Sequence, residues 1–241
     1  MKDNAFSLWV YLSRSPLLWL TFTLLVYAIT DAVSLATHRH PLANPVLHAM
    51  WIIGAFLLAT DTPYATYFAG AQFVHFLLGP ATVALAVPLY ENRTHALAAI
   101  LPMLIALAAG SVSAVVSIVL LAEATKLPRG VILSLAPKSV SVGVAMGISA
   151  SLHGDPSLTA IAAILTGVMG AIIVTPLMNS TGITDYRARG FAVGIAAHGI
   201  GTARALQVDE IAGAFSAIAM SLNALATSFL VPFAVTVLIR R

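Results

Sequence analysis

Residues 133–147 read LSLAPKSVSVGVAMG, an apolar, small-residue stretch with one proline and one lysine near its centre. Pro137 removes a helical hydrogen bond and clashes with the preceding turn, so it predicts a helix break. Lys138 follows at once, and a lysine that faces hydrocarbon costs about 2.5 kcal/mol or more. Broken backbone at membrane depth is tolerated only where protein buries it or water reaches it. The stretch therefore predicts a broken membrane helix beside a polar site.

The composition of the rest of the chain is that of a membrane protein. Of its 241 residues, 59% are hydrophobic and only 9% are charged, against about 25% charged in soluble domains. The absence of cysteine excludes disulfides, thiolate catalysis and cysteine-ligated metals. The net charge of +3 reflects basic loops rather than affinity for nucleic acid. No signal peptide is expected, because the N-terminus has no short apolar run with a cleavage site.

Apolar segments of about membrane length divide the chain. The eight segments are 15–37, 41–60, 62–90, 95–122, 130–151, 156–184, 190–206 and 211–239. The loops between them are too short for a soluble domain. We therefore expect an all-α polytopic membrane protein, a single integral membrane domain over residues 1–241. Two or three of its helices should be broken, and the sequence leaves open whether these cross the membrane or re-enter it.

The basic residues of the loops predict the orientation of the chain. If all eight segments cross, Arg39 and Arg93 fall on one side and eight other loop or terminal residues on the opposite side. The positive-inside rule then places both termini in the cytoplasm. We expect a multi-pass protein of the bacterial cell inner membrane. The eight residues are Lys2, Arg14, Lys126, Arg129, Arg187, Arg189, Arg240 and Arg241.

Three segments of the chain resemble one another in sequence. LGPATVALAV, from residue 78, aligns with LAPKSVSVGV, from residue 135, and GIGTARAL, from residue 199, is a looser third version. Repeat units of about 63–125, 129–181 and 187–239 follow, in parallel or inverted orientation, and transporters commonly contain such repeats. Segments rich in Ala, Val and Gly also resemble one another by composition alone. The predicted helix breaks are Gly79, Pro80, Pro137, Gly199 and Gly201.

Two clusters near these breaks carry the polar chemistry. Lys138 and Ser139 put an ammonium and a hydroxyl at one break, and the start of a half-helix favours an anion. The stretch HGIGTAR adds a titratable imidazole at His198. The alternatives are a lysine paired with a buried carboxylate, an arginine anchored at the interface, and a packed histidine. The predicted substrate-binding residues are Lys138, Ser139, Thr82, Thr202 and Arg204, with His198 as the proton-coupling residue.

Other chemistry is not supported by the spacing of the remaining residues. The glycines of HGIGTAR do not form a dinucleotide-binding fingerprint, and the histidines have no metal-ligand spacing. No Ser-His-Asp order or paired-carboxylate site is present, so we expect neither an enzyme nor a cofactor or metal. Asp155 and Pro156 predict a helix start. Gly143 and Gly147 predict a close helix contact.

Four blocks of this sequence resemble the LrgB/CidB family of membrane proteins. They are YFAGAQFVHFLLGPATVALAVPLY (67–90), LAPKSVSVGVAM (135–146), PSLTAIAAILTGVMGA (156–171), and HGIGTARAL with GAFSAIAM (198–220). The resemblance covers about residues 20–238. It implies one of two functions. Members are described as holin- or antiholin-like proteins that modulate murein hydrolase export and autolysis, or as carriers of small organic acids.

The resemblance also implies substrates and partners. The plant plastid member is a glycolate/glycerate translocator, and bacterial members have been linked to pyruvate uptake. We expect a homodimer, a small LrgA/CidA-type membrane partner beside it, and no nucleic-acid partner. Ser141 and Gly143 stand where the family pattern often has threonine and then proline, so substrate preference is not carried over.

The residues themselves favour a carrier over a holin-like pore, because a pore needs no buried lysine at a broken helix. A small monocarboxylate matches what Lys138, Ser139, Thr82 and Arg204 offer: one negative charge and a hydroxyl or carbonyl. Moving such an anion against a negative-inside potential costs about 2.3 kcal/mol per 100 mV, which a proton carried by His198 would cancel. The prediction is a proton-coupled monocarboxylate carrier; the alternative is a holin-like regulator of autolysis.

Overall fold

A computed structural model describes residues 15–77, 80, 83–84, 87, 90 and 93–239. The chain forms two compact units, 1–84 and 85–241, and the described part of each is helical, without strands. The all-α prediction is thus confirmed for the described residues. The first unit contains α1 (Pro16–Ala36), α2 (Pro45–Ala59) and α3 (Tyr64–Phe76). The second contains α4 (Arg93–Ala98), α5 (Ile100–Ala124), α6 (Arg129–Leu135), α7 (Val142–Ser151), α8 (Pro156–Ser180), α9 (Tyr186–Val208) and α10 (Glu210–Leu238).

The first unit packs around Trp19, which is 1% exposed. Its ring makes edge contacts with Phe56 of α2 and Tyr67 of α3. Gly70 lets α3 approach closely, since a Cβ there would lie 2.2 Å from the carbonyl oxygen of Pro16. Aromatic burial and one glycine therefore hold the three helices together.

Four helices among the described residues are long and apolar enough to cross a membrane, judged by length and composition. They are α1, α5, α8 and α10. The start of α8 confirms the cap predicted from sequence: the Asp155 carboxylate accepts hydrogen bonds from the amides of Ser157 and Leu158, and Pro156 is the first helical residue. Asp209 caps α10 in the same way, through the amide of Ala212.

The predicted segment 130–151 folds back on itself. α6 ends at Leu135, residues 136–141 form a tip, and α7 begins at Val142. Beyond α7, the amide of Asp155 donates to Ser134 Oγ at 2.7 Å, and Thr159 Oγ1 donates to the Ser134 carbonyl at 2.9 Å. α7 alone is about 15 Å long, so a straight segment would keep these groups far apart. We call α6, the tip and α7 the first hairpin.

The predicted segment 190–206 also folds back. Within α9, His198 has φ 41° and ψ −135°, which is not helical. A Cβ added at Gly201 would lie 2.6 Å from Val193 Cγ1, although eight residues of straight helix span about 12 Å. α9 is therefore two antiparallel arms, 186–197 and 199–208. We call it the second hairpin.

The two hairpins lie against opposite halves of α10. The second hairpin packs on the first half, where a Cβ at Gly190 would lie 2.0 Å from the Ala212 carbonyl oxygen and one at Gly194 would lie 2.2 Å from that of Ser216. The first hairpin shares one hydrophobic core with the second half and with α5. That core includes Ile132, Ala136, Val140, Ala145, Ile148, Val115, Val119, Val231 and Val235.

The structure corrects two details predicted from sequence, the position of one helix break and one glycine contact, and it agrees with a helix end just before Gly79 and Pro80. The reversal of the second hairpin is at His198, whereas Gly199 and Gly201 are helical; Gly201 is small because Val193 and Ala197 pack against it. Around the other predicted break, α3 ends at Phe76 and Pro80 is helical and exposed, while Gly79 and Thr82 lie outside the described residues. The pair 143 and 147 makes no close contact, since no described atom lies within 4 Å of an added Cβ at either position.

Candidate functional site

The tips of the two hairpins meet at Asn223, near the middle of α10. Its side chain is buried, at 1% exposure. The amide nitrogen Nδ2 donates to the carbonyl of Ser139, in the tip of the first hairpin, at 3.1 Å. The same nitrogen donates to the carbonyl of Ile195, just before the reversal of the second hairpin, at 3.0 Å. We call this group the tip junction.

The need for such a donor follows from the broken helices. A helix that ends leaves its last carbonyls without intrahelical partners, and a buried polar backbone group must be satisfied. Ile195 lies at such an end, and Ser139 lies in the non-helical tip between α6 and α7, where no helix supplies a partner for its carbonyl. An asparagine amide has two hydrogens, so one side chain satisfies one carbonyl from each hairpin.

The side-chain oxygen of Asn223 also makes hydrogen bonds. Its Oδ1 accepts from Ser111 Oγ, in the middle of α5, at 2.7 Å and from Thr227 Oγ1, one turn along α10, at 3.2 Å. Ser111 and Thr227 are each 1% exposed. The junction thus ties together α5, α10 and both hairpins without any charged group.

Lys138 lies in the tip of the first hairpin, next to Ser139. Its side chain is half-buried and makes no hydrogen bond or ion pair with another described residue. Ser139 is 5% exposed, and its main-chain carbonyl is the group that Asn223 binds. The helix that leaves this tip, α7, has Ser141 as its N-cap and no side-chain cap on its first amides. Lys138 and the start of a helix therefore belong to the same tip.

His198 is built into the second hairpin. It is 2% exposed, and its Nε2 lies 2.9 Å from the carbonyl oxygen of Ala163 in α8. Because that partner is an acceptor, Nε2 is the protonated nitrogen. Gly167 leaves room for the ring, since a Cβ there would lie 2.7 Å from His198 Cε1. The imidazole thus closes the tip against α8.

Thr202 and Arg204 lie along the second arm of the same hairpin. The Thr202 hydroxyl donates to the His198 carbonyl at 2.8 Å and pairs with Ser216 Oγ at 2.9 Å. Arg204 is 8% exposed and lines a small cavity with Tyr186 and Arg189, at the open end of the hairpin. Arg204 lies six positions after His198, about 9 Å along the arm. The structure thus brings Lys138, Ser139 and His198 to the tips, but not Arg204.

A cavity of about 600 Å³ runs between α5 and the first arm of the second hairpin. Asp185 and Arg187 line it at the loop end, and Gly110 and Ile195 line it close to the tip junction. The Arg187 guanidinium hydrogen-bonds to the Asp185 carboxylate and lowers the pKa of that carboxyl below its ordinary value. Most of the lining between these ends is alanine and other apolar side chains.

Sequence reasoning missed Asn223 and Ser111. The signal was present: Asn223 is the only side-chain amide in the uncharged segment 211–239, and a buried amide in an apolar span needs partners. Its importance was hidden because its amide nitrogen binds two backbone carbonyls, which the sequence does not mark. No group of three or more His, Cys, Asp or Glu residues in the described part is arranged to hold a metal ion.

Comparison with known proteins identifies relatives along most of the chain. Residues 23–237 match the LrgB-like family. YwbG of Bacillus subtilis, an uncharacterised protein, is 34% identical over 190 residues, covering 79% of this chain and 84% of YwbG. YxaC of the same organism, also uncharacterised, is 34% identical over 195 residues, 81% of this chain and 85% of YxaC.

The holin-like protein CidB of Staphylococcus epidermidis is 30% identical over 215 residues, covering 89% of this chain and 93% of CidB. No solved structure matches the chain. The four long apolar helices of the described residues and the match to this family both indicate a membrane protein. This chain belongs to the LrgB-like family of membrane proteins, which includes holin-like relatives.

Proposed function

We propose that this protein is a proton-coupled carrier of a small organic monocarboxylate, such as glycolate, glycerate or pyruvate. The observation that carries the proposal is the tip junction, where two opposed helical hairpins meet beside Lys138. Discontinuous helices that meet near the centre of a membrane protein are a recurrent architecture of substrate sites in transporters. A pore that only leaks solutes has no need of such a junction.

The local charge at the tips favours an anion. Lys138 supplies a positive charge that no described carboxylate neutralises. Both α7 and the second arm of α9 begin at the tips, and the N-terminal end of a helix carries partial positive charge. A carboxylate is therefore attracted by three groups at once, and Ser139 lies within the same tip to receive a hydroxyl or carbonyl.

The arrangement of the hairpins supports an inverted repeat. In 129–181 and in 187–239, a hairpin precedes an aspartate cap and a long apolar helix. The hairpins lie on opposite halves of α10, as expected if the two units enter the membrane from opposite sides. Such a pair gives a carrier two related halves that alternate in exposing one site. Unit 63–125 includes residues outside the described part.

Re-entry of both hairpins would change the topology inferred from charge. Six segments would then cross, so both termini would still share one side. Arg187 and Arg189 would move to the side of Arg39 and Arg93, leaving six basic residues against four. The bias still favours cytoplasmic termini in the inner membrane, although by a smaller margin than the sequence predicted.

His198 is the proposed proton carrier. Uptake of one anion against a negative-inside potential costs about 2.3 kcal/mol per 100 mV, and a co-transported proton removes that cost. The imidazole is buried at the opposite tip from Lys138, and its Nε2 proton is held by the Ala163 carbonyl. The two groups that would bind the anion and the proton thus belong to different hairpins.

The test is uptake into proteoliposomes that contain this chain alone. Saturable uptake of two- and three-carbon acids is expected to rise when the outside is made acidic. Lys138→Ala should abolish uptake while leaving the protein inserted in the membrane. Lys138→Arg should retain only part of the uptake, because a planar guanidinium does not replace a compact ammonium.

The matched control is Lys126→Ala, which removes an exposed loop lysine and should leave uptake unchanged. Equal loss in both variants would point to a general effect of charge. Unsaturable leakage of unrelated solutes through the wild-type protein would contradict the carrier altogether.

The holin-like alternative is favoured by the name of one relative, CidB. In that case the chain would modulate murein hydrolase export, together with a small LrgA/CidA-type partner. Lys138→Ala would then leave the timing of lysis nearly unchanged, and no saturable uptake would be measured. Either function is compatible with a homodimer, which analytical ultracentrifugation of the detergent-solubilised protein would test.

A further inference from the structure

We propose that Asn223 is the positioning residue that couples the two tips, so that anion binding at Lys138 and proton binding at His198 occur as one event. This inference rests on the proposed carrier function and adds a residue that touches neither substrate. It follows from the position of one amide between two hairpins that pack on opposite halves of α10.

The two tips lie close to each other at Asn223. The carbonyl oxygens of Ser139 and Ile195 each lie about 3 Å from the same nitrogen, so they are no more than about 6 Å apart. Lys138 is adjacent to Ser139 in the chain, and His198 lies three residues after Ile195. A change in the position of either tip therefore acts on the hydrogen bonds that hold the other.

The side chain of Asn223 has the hydrogen-bonding groups that this position needs. The junction requires two hydrogen-bond donors on one uncharged group, which an asparagine amide supplies. A carboxylate has acceptors only, and a leucine has neither. Asn223 is also held from its other side by Ser111 and Thr227, so the amide cannot rotate without losing four hydrogen bonds.

The packing of the hairpins distinguishes a coupling role of Asn223 from a purely structural one. Each hairpin has its own packing, independent of Asn223: the second through Gly190 and Gly194 against α10, the first through its hydrophobic core. Loss of the amide should therefore leave both hairpins formed while freeing their tips from one another. A purely structural residue would instead be expected to destabilise the whole unit.

The functional test compares Asn223→Leu with wild type in proteoliposomes. We expect pH-gradient-driven uptake to fall at least tenfold, and the remaining uptake to lose its response to the gradient. Ser221→Ala is the matched control, because among the described residues its hydroxyl bonds only to its own helix, at Ala217. Asn223→Leu with unchanged uptake and unchanged gradient response would overturn the proposal.

A second measurement does not depend on transport. Hydrogen–deuterium exchange of the protein in nanodiscs should show residues 136–141 and 195–199 exchanging faster together in Asn223→Leu, with α8 and both ends of α10 unchanged. Ser111→Ala keeps both Nδ2 donors, so it should have a much smaller effect. Faster exchange throughout the second unit, or at one tip alone, would contradict coupling.

Asn223→Asp covers the case in which Asn223→Leu does not fold. A protonated carboxyl has one donor and an ionised one has none, so protection of the tips should partly return as the pH falls from about 8 to about 5. Protection that does not vary with pH would count against the proposal. If the wild-type protein shows no saturable uptake, the carrier function fails, and hydrogen exchange still decides whether Asn223 joins the tips.

Discussion

The two hairpins reverse the chain by different means. The first uses a non-helical tip, residues 136–141, which contains Pro137 and carries the half-buried Lys138. The second reverses at a single residue, His198, whose φ of 41° is unusual for a residue with a side chain. Proline breaks the first helix by its own chemistry, whereas the second break exists only because surrounding contacts hold it.

Several contacts hold the reversal at His198 in place. The His198 ring is bound by the Ala163 carbonyl, Thr202 closes back on the His198 carbonyl, and Gly194 brings the first arm against α10. Strained backbone persists where the surrounding structure over-determines it. The second hairpin is therefore a rigid support, and the first hairpin carries the charged residue.

The largest effect is expected at the close contact of the second hairpin. A leucine at Gly194 would place side-chain atoms within the space of the Ser216 carbonyl, 2.2 Å from the Cβ position, so little folded protein should be recovered after detergent extraction. Gly143→Ala is the control in the first hairpin, where no described atom lies within 4 Å and alanine favours helix by about 1 kcal/mol. The yields are measured by fluorescence size-exclusion chromatography. Equal yields of both variants would show that the second hairpin is not packed closely against α10 at Gly194.

An all-or-none result is expected from the accessibility of single cysteines, which the cysteine-free chain allows. Cysteines at Lys126 and His153 flank the first hairpin, and those at Thr184 and Val208 flank the second. If both hairpins re-enter, an impermeant thiol reagent should label each pair from one side, and the two pairs from opposite sides. If the two cysteines of one pair are labelled from opposite sides, the segment between them crosses the membrane instead of re-entering it.

A smaller, selective effect is expected at His198. His198→Ala removes the proposed proton carrier and the partner of the Ala163 carbonyl, so the stimulation of uptake by an acid-outside gradient should disappear while uptake by exchange persists. His198→Gln keeps a donor near Ala163 without a titratable group and should behave in the same way toward the gradient. A gradient response that survives in His198→Gln would remove His198 from the coupling step.

The smallest effect is expected at Thr202. Thr202→Val removes the bonds to the His198 carbonyl and to Ser216, and one buried hydrogen bond contributes about 1 kcal/mol net. The midpoint of thermal unfolding should fall by a few degrees, whereas Thr202→Ser should leave it nearly unchanged. A large loss of substrate affinity without loss of stability would instead assign Thr202 to the substrate, as the sequence predicted.

Much of the helical framework was predictable from the sequence. The segments predicted at 15–37, 156–184 and 211–239 correspond to α1, α8 and α10 within a few residues. In lipid, an uninterrupted apolar segment of this length can satisfy its backbone hydrogen bonds only as a helix. The break at Pro137 and the cap at Asp155 followed from local chemistry in the same way. These features depend on a residue and its close neighbours in the chain.

The tertiary structure alone decided how those pieces combine. Whether segments 130–151 and 190–206 continue or reverse depends on packing between distant residues, such as Gly194 with Ser216 or Ser134 with Asp155. Asn223 binds main-chain carbonyls 84 and 28 residues away, and every residue has a carbonyl, so the sequence does not mark these two. The sequence thus determined a membrane chain with a charged, broken helix, and long-range backbone hydrogen bonding determined where that break lies and what it meets.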